Sequence, residues 1–115
     1  FEQMSRSGKG GAIVNVISLA GIRGTEKFVG FSAYTGAKSA VTGLTEAWAL
    51  EGKPFGIRVN AVAPGATDTK MLKQAAPGLK TKMKPEDIAK VIAFFCDSSE
   101  SGKITGSILE VHSNE

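Results

Sequence analysis

The sequence is short of the residues that mark several classes of protein. It has one cysteine, Cys96, one histidine and no long apolar run among its 115 residues. A lone cysteine forms no internal disulfide, which is typical of a reducing compartment and favours a cytoplasmic protein. Since no apolar run approaches the roughly 18 residues of a membrane span, we expect no membrane partner. We expect no metal site either.

The excess of positive charge is small, at +3. Five lysines fall within residues 70–84, but no aromatic side chain lies among them to stack on bases. A mobile, solvated segment is therefore the favoured interpretation, and no nucleic-acid partner is expected. The mildly basic balance is compatible with an anionic small ligand.

The composition, 42% hydrophobic and 22% charged, is that of one soluble globular domain over residues 1–115. The opening, 1-FEQMSRSGKGG-11, has the pattern of a helix end that runs into a loop. Since complete proteins rarely begin inside an element, we expect the chain to be part of a longer one.

Hydrophobic periodicity predicts alternating strands and helices. Strands are expected at 12–17, 57–63 and 107–111, and helices at 32–51 and 85–98, with a short helix near 69–75. The three strands are dense in apolar residues, which is typical of parallel strands covered on both faces. The pattern predicts an α/β fold, a three-stranded piece of a doubly wound parallel sheet.

The segment 32–51 has two apolar faces as a helix. One carries Ala37, Val41, Leu44 and Trp48 at helical spacing, and the other carries the small residues Ala33, Ala40 and Ala47. Ser32 is the expected N-cap. We expect one face to cover the sheet and the other to meet another chain.

Polar residues follow the ends of the first two strands. Ser18 comes directly after the first, and 64-PGATDT-69 follows the second. Tyr34 and Lys38 are four residues apart at the start of the helix between these strands, so their side chains share one face. Because ligands bind beyond the carboxyl ends of parallel strands, we expect all three groups to meet there.

A tyrosine beside a lysine can exchange a proton with an alcohol or carbonyl oxygen, because the cation favours the phenolate. Ser18 can hydrogen-bond the same oxygen. Each feature alone has an ordinary explanation: such a pair occurs by chance on exposed helices, a serine suits a turn, and Pro64–Gly65 ends a strand. Only their combination and order favour a catalytic site.

The combination resembles the short-chain dehydrogenase/reductase family over essentially the whole chain. The resemblance is carried by 12-AIVNVISLAG-21, 34-YTGAK-38, 57-IRVNAVAPGATDT-69 and 104-ITGSILEV-111. These segments correspond to the carboxyl-terminal half, or less, of a family member. The resemblance implies a Rossmann-like doubly wound parallel sheet, of which only the carboxyl-terminal portion is present. It also implies NAD- or NADP-dependent hydride transfer to or from a small-molecule carbonyl or secondary alcohol.

The resemblance implies residue roles as well. Tyr34 is the implied general acid/base, Lys38 favours its ionised form and binds the nicotinamide ribose, and Ser18 polarises the substrate carbonyl. The implied cofactor-binding residues are Tyr34, Lys38, Pro64, Gly65, Thr67 and Thr69. The lysine-rich segment is the implied substrate lid. A homodimer or homotetramer through helix 32–51 is also implied, which would account for the alanines and Trp48.

The sequence departs from the family pattern in three places. It lacks the glycine-rich phosphate turn and the residue that selects NAD or NADP, so the cofactor preference is not readable. Ser18 and Tyr34 are somewhat further apart than usual, which predicts a longer loop at 25–31 beside the substrate. His112 stands where an aspartate is common; a substrate-side role is one interpretation, and a plain surface side chain is the favoured one.

Two hypotheses remain. In the first, the chain is an incomplete part of an oxidoreductase and is inactive alone. In the second, it is a non-catalytic module for interaction or dimerisation. Turnover of NAD(P)H would separate them, and comparison of the intact mass with the reading frame would separate a chain cut from a longer one from a naturally short gene product. The substrate is not readable from the sequence.

Overall fold

Three parallel strands form one sheet in the order β1-β2-β3. The computed structural model describes residues 1–25 and 27–113, so Glu26 of the predicted loop, Asn114 and Glu115 lie outside the described residues. The strands are β1 (Gly11–Val16), β2 (Ile57–Pro64) and β3 (Ile108–Val111). The helices are α1 (Glu2–Ser7), α2 (Ser32–Gly52), α3 (Lys70–Ala75), α4 (Pro85–Cys96) and α5 (Ser98–Ser101).

The predicted order of strands and helices, and with it the α/β class, is confirmed. Two details are wrong. The helix expected to reach residue 98 ends at Cys96, because Asp97 is extended and its carboxylate accepts a hydrogen bond from the Ser99 N–H at 2.9 Å, which starts α5. The N-cap of α2 is Phe31, which makes no side-chain capping bond, and Ser32 is the first helical residue.

One face of β2 packs against α2. Its alternate residues Ile57, Val59, Ala61 and Ala63 are buried. The side chains of α2 that lie on this core are Val41, Trp48 and Ala49.

The predicted division of α2 into faces is wrong in part. Trp48, which the resemblance implies at the contact between copies, packs on the core beside Ala49, whereas Ala37 and Leu44 of its predicted face are exposed. The packed face is centred on the buried residues Thr45, Ala49 and Gly52. Hydrophobic periodicity predicted a different position for the packed face, because Thr45 and Gly52, which are not large apolar residues, lie at its centre.

The opposite face of the sheet carries α4 and α5. Arg58, which lies between the α2-facing residues of β2, donates from Nη1 to the carbonyl oxygen of Ser101 at 2.9 Å. Ile88 and Phe95 are the buried side chains of α4. The sheet is therefore covered on both faces, as in a doubly wound fold, and this explains why β2 is apolar almost throughout.

A partly buried hydrogen bond joins β1 to α2. The Asn15 side-chain amide donates to Thr45 Oγ1 at 2.9 Å, and that hydroxyl donates to the Val41 carbonyl at 2.8 Å. Thr45 has no exposed surface. Since an amide that is largely withdrawn from water is costly to leave without an acceptor, this pair helps to fix how α2 lies along β1 and hence where the start of the helix stands relative to the strand end.

Replacing Thr45 with Val should lower the free energy of unfolding by about 1–3 kcal/mol, because the shape is kept while the Asn15 amide loses its acceptor. Urea denaturation measures the loss. The double variant Asn15→Leu/Thr45→Val should lose less than the sum of the two single variants, since both polar partners are then removed. Strictly additive losses would contradict the pairing.

Candidate active site

Ser18 lies just beyond the carboxyl end of β1, in a tight turn. It caps a 3₁₀ turn at Leu19–Gly21, and its Oγ accepts from the Ala20 N–H at 3.2 Å. Among the described residues the Ser18 hydroxyl makes no hydrogen bond to Tyr34 or Lys38.

The turn lies directly against the backbone of α2. A Cβ atom at Gly21 would stand 2.7 Å from the carbonyl carbon of Lys38, which leaves room only for glycine. The Gly21 carbonyl accepts from Thr42 Oγ1 at 3.2 Å and from Ser39 Oγ at 3.4 Å. This contact fixes the turn that carries Ser18 against the helix that carries Lys38.

Tyr34 and Lys38 are in contact, as their spacing predicts. The Lys38 Nζ atom is 5.6 Å from the centre of the Tyr34 ring, within the range of a cation–π interaction. The same Nζ donates to the carbonyl oxygen of Val16, the last residue of β1, at 3.3 Å. Tyr34 is 39% exposed, so a ligand can reach it.

The end of β2 lies beside the Ser18 turn. Gly65 donates its N–H to the carbonyl of Val111 at 3.0 Å, and a Cβ atom on Gly65 would stand 3.2 Å from Leu19 Cδ1. The rim thus runs from Ser18 across Pro64 and Gly65 to the end of β3. The three predicted groups stand at one edge of the sheet.

The two threonines after β2 are also placed. Thr67 Oγ1 donates to the Gly65 carbonyl at 3.0 Å. Thr69 caps α3, and its Oγ1 accepts from the Leu72 N–H at 3.1 Å, which leaves the hydroxyl hydrogen available to donate. The short helix near 69–75 is thereby confirmed.

The ends of the lysine-rich segment are held together at its base. The Asp68 N–H donates to the Met83 carbonyl at 2.8 Å, and the Lys84 ammonium donates to Asp68 Oδ2 at 2.8 Å. Sequence reasoning missed this pair, because two residues 16 apart show no pattern until the chain folds back between them.

His112 lies just beyond β3 on the surface. Its Nε2 is 3.3 Å from Glu110 Oε1, and both side chains are exposed. Nothing in this arrangement directs the ring toward Tyr34, so the interpretation as a surface side chain remains the favoured one.

Aromatic side chains lead from the loop 25–31 to Tyr34. The ring centres of Phe28 and Phe31 are 6.3 Å apart, and those of Phe31 and Tyr34 are 6.2 Å apart. The spacing of these three residues, i, i+3 and i+6, is visible in the sequence. It produces ring contacts because the loop ends at Phe31, directly before α2 begins.

Residues 1–80 match the model of the family described as short chain dehydrogenase. This chain belongs to the short-chain dehydrogenase family. It is similar to the acetoacetyl-CoA reductase of Synechocystis sp., with 36% identity over 114 residues that cover 90% of this chain and 46% of the relative. It is also similar to the cyclohexanol dehydrogenase of Acinetobacter sp., with 40% identity over 105 residues, 85% of this chain and 40% of the relative.

Solved structures of short-chain dehydrogenases have the same fold. The acetoin dehydrogenase of Enterobacter cloacae is 38% identical with a TM-score of 0.79, over 96% of this chain and 44% of that one. A 3-oxoacyl-(acyl carrier protein) reductase of Brucella melitensis is 32% identical with a TM-score of 0.81, over 96% of this chain and 43% of that one. The Rossmann-like fold is confirmed, and the chain spans less than half the length of these family members.

Neither a membrane-spanning helix nor a metal-binding cluster occurs in the described residues. Across residues 1–25 and 27–113, no helix has the length and hydrophobicity needed to cross a membrane. The same ranges contain no group of three or more His, Cys, Asp and Glu side chains that could hold a metal ion.

The hydrogen bond from Lys84 lowers the pKa of the Asp68 carboxyl and raises the pKa of the Lys84 ammonium. Because the folded pKa of Asp68 lies below its unfolded value of about 3.9, the pair stabilises the closed base of the segment above that pH. This contribution is lost as the pH falls through the folded pKa.

In the variant Lys84→Met, the Asp68 carboxyl should titrate at a higher pH, closer to about 3.9. Carbon-13 NMR of the carboxyl resonances measures this. Asp97 is the internal control, because hydrogen bonds from Ser99 lower its pKa and Lys84 takes no part. An unchanged Asp68 titration in Lys84→Met would refute the link.

Proposed function

We propose that this chain forms the catalytic part of an NAD- or NADP-dependent oxidoreductase that acts on a carbonyl compound or a secondary alcohol. One observation carries the proposal: the Lys38 ammonium stands between the carbonyl at the end of β1 and the accessible ring of Tyr34. The hydrogen bond to the end of β1 keeps the Lys38 ammonium beside the Tyr34 phenol. Both side chains lie at the edge of the sheet where parallel α/β proteins bind ligands.

Tyr34 acts as the general acid/base in this proposal. In reduction its hydroxyl donates a proton to the substrate oxygen, and in oxidation its phenolate accepts that proton. Lys38 stabilises the phenolate by its charge. Ser18 hydrogen-bonds the substrate oxygen and polarises the carbonyl, which helps because the oxygen gains negative charge during reduction.

The residues on the rim fit the nicotinamide end of the cofactor. The hydroxyl of Thr69 and the backbone of Thr67 offer polar partners for the carboxamide, and Lys38 can reach a ribose hydroxyl. Pro64 and Gly65 border the nicotinamide ring in this proposal. When bound, the nicotinamide supplies or accepts the hydride.

The names of the relatives support the substrate class in its broad form. Cyclohexanol dehydrogenase and acetoin dehydrogenase are named for compounds with a secondary alcohol, and acetoacetyl-CoA reductase for one with a ketone. The chain spans 46% of the length of the acetoacetyl-CoA reductase and 40% of that of the cyclohexanol dehydrogenase, and the glycine-rich phosphate turn is not in the sequence. We therefore propose that residues 1–115 alone do not turn over NAD(P)H.

The test uses the whole product of the reading frame that encodes these residues, called the full-length protein below. The variant Tyr34→Phe should lose at least about 100-fold in kcat with ketone substrates, since general acid–base catalysis contributes roughly 100- to 10,000-fold. Its melting temperature and circular dichroism should match the unsubstituted protein. A kcat within a factor of two of the unsubstituted protein would refute the role of Tyr34.

The separate 115-residue chain is assayed in parallel with the full-length protein, with NADH and with NADPH. We expect no turnover from the chain and turnover from the full-length protein. If neither turns over any ketone or alcohol, the non-catalytic interaction module becomes the better account of the chain.

We also propose that α2 joins two or more copies of the protein. Its exposed stripe of small and apolar residues comprises Ala33, Ala37, Ala40, Leu44 and Ala47. Open space surrounds Gly36 and Gly43 beside the stripe, so another helix can approach closely. A homodimer or homotetramer through α2 would cover this surface.

Leu44→Glu in the full-length protein should shift the oligomer toward the monomer mass in light scattering, because it places a charge in the proposed interface. Leu50→Glu is the matched control. Leu50 is also exposed, 66% against 42% for Leu44, but lies about 120° around the helix from Leu44. Dissociation by both variants, or by neither, would contradict an interface centred on the stripe.

A further inference from the structure

The loop before α2 has a firmly bonded base. The Lys27 ammonium donates to the carbonyl oxygens of Ile22 and Thr25 at 2.8 and 2.9 Å and to Thr25 Oγ1 at 2.6 Å. The Thr25 hydroxyl in turn bonds the carbonyls of Leu19 and Ile22. These bonds tie the base of the loop to the turn that carries Ser18.

Above this base, the loop directs apolar side chains into solvent. Phe28 is 57% exposed and Val29 is fully exposed. Gly30 has φ 89°, a left-handed conformation that turns the chain back into α2. Exposed apolar side chains on a loop whose base is fixed add little to the stability of the fold, so their position calls for a binding partner.

The apolar side chains are continuous with Tyr34. Phe31 touches both Phe28 and Tyr34 through its ring, and the Phe31–Tyr34 contact is edge-to-face with an interplanar angle of 67°. The Phe31 carbonyl accepts from the Thr35 N–H at 2.8 Å, in the first turn of α2. The ring of Phe31 at the start of α2 therefore connects the loop to the phenol.

We propose that Phe28, Val29 and Phe31 form one wall of the substrate site and select carbonyl compounds with a bulky apolar group on one side of the carbonyl. The occupant is the apolar part of the substrate, because the aromatic contacts end on the proton-donating ring itself. This inference rests on the proposed function and adds a substrate class and three specificity residues to it.

The base of the loop and its wall serve different ends in this proposal. Thr25 and Lys27 hold the loop against the Ser18 turn, so the wall is already formed before substrate arrives. A preformed apolar surface improves binding because the loop loses little conformational entropy when the substrate binds. Substrates that offer only small groups to the wall gain none of this contact.

The test compares two methyl ketones, acetophenone and acetone, in the full-length protein. Phe28→Ala should lower kcat/KM for acetophenone by about 10-fold or more, mainly through KM, and for acetone by less than about 2-fold, since only the phenyl group reaches the wall. The matched control is Phe55→Ala, which removes a similarly exposed phenylalanine near the amino end of β2. This control variant should leave the ratio of kcat/KM for acetophenone to kcat/KM for acetone unchanged.

A second variant and a binding measurement guard against misfolding. Val29→Asn changes a fully exposed side chain and should lower the preference for acetophenone in the same direction. Fluorine NMR of 4-fluoroacetophenone should show line broadening with the unsubstituted protein and markedly less with Phe28→Ala.

The outcomes separate this inference from the proposed function. If the full-length protein reduces ketones but both loop variants keep the acetophenone-to-acetone ratio within twofold, the wall is refuted and the oxidoreductase stands. If the ratio holds and Phe28→Ala instead changes the molar mass in light scattering, the loop contacts a protein partner and the wall is refuted. If no ketone or alcohol is turned over, both proposals fail together.

Discussion

The close approach of two backbones at Gly21 and Lys38 underlies the rest of the site. The turn after β1 can lie on α2 only because Gly21 has no side chain, and the hydroxyl of Thr42 then fixes the contact. This contact sets Ser18 on one side of the helix start and brings Lys38 back to the end of β1. Tyr34 follows because it stands one helical turn before Lys38.

The partly buried Asn15–Thr45 hydrogen bond supports the same geometry. It holds α2 in register along β1, while the apolar contacts of Trp48 and Ala49 hold the helix down on β2. Polar and apolar interactions thus have separate tasks: burial keeps the helix on the sheet, and the hydrogen bond decides its position along the strand. A shift of one residue would carry Lys38 away from the Val16 carbonyl.

The faces that remain exposed suggest how the chain relates to its surroundings. In the part of the chain that the structure describes, the outer edge of β1 pairs with no strand, and the stripe on α2 meets no other helix. An unpaired sheet edge and an apolar helix face are both surfaces that proteins normally cover. Family members of more than twice this length have additional chain that can pair with the edge of β1. A second copy of the protein would cover the stripe on α2.

The sequence alone determined the order of the strands and helices, the parallel sheet and the contact between Tyr34 and Lys38, because each depends on local periodicity or on spacing within one helix. Only the tertiary structure decided which face of α2 is buried, since Thr45 and Gly52 lie where an apolar pattern was expected. It alone also joined Asp68 to Lys84 and placed Phe28 against Phe31 and Phe31 against Tyr34. These contacts depend on how the chain folds back on itself, which no spacing along the sequence reveals.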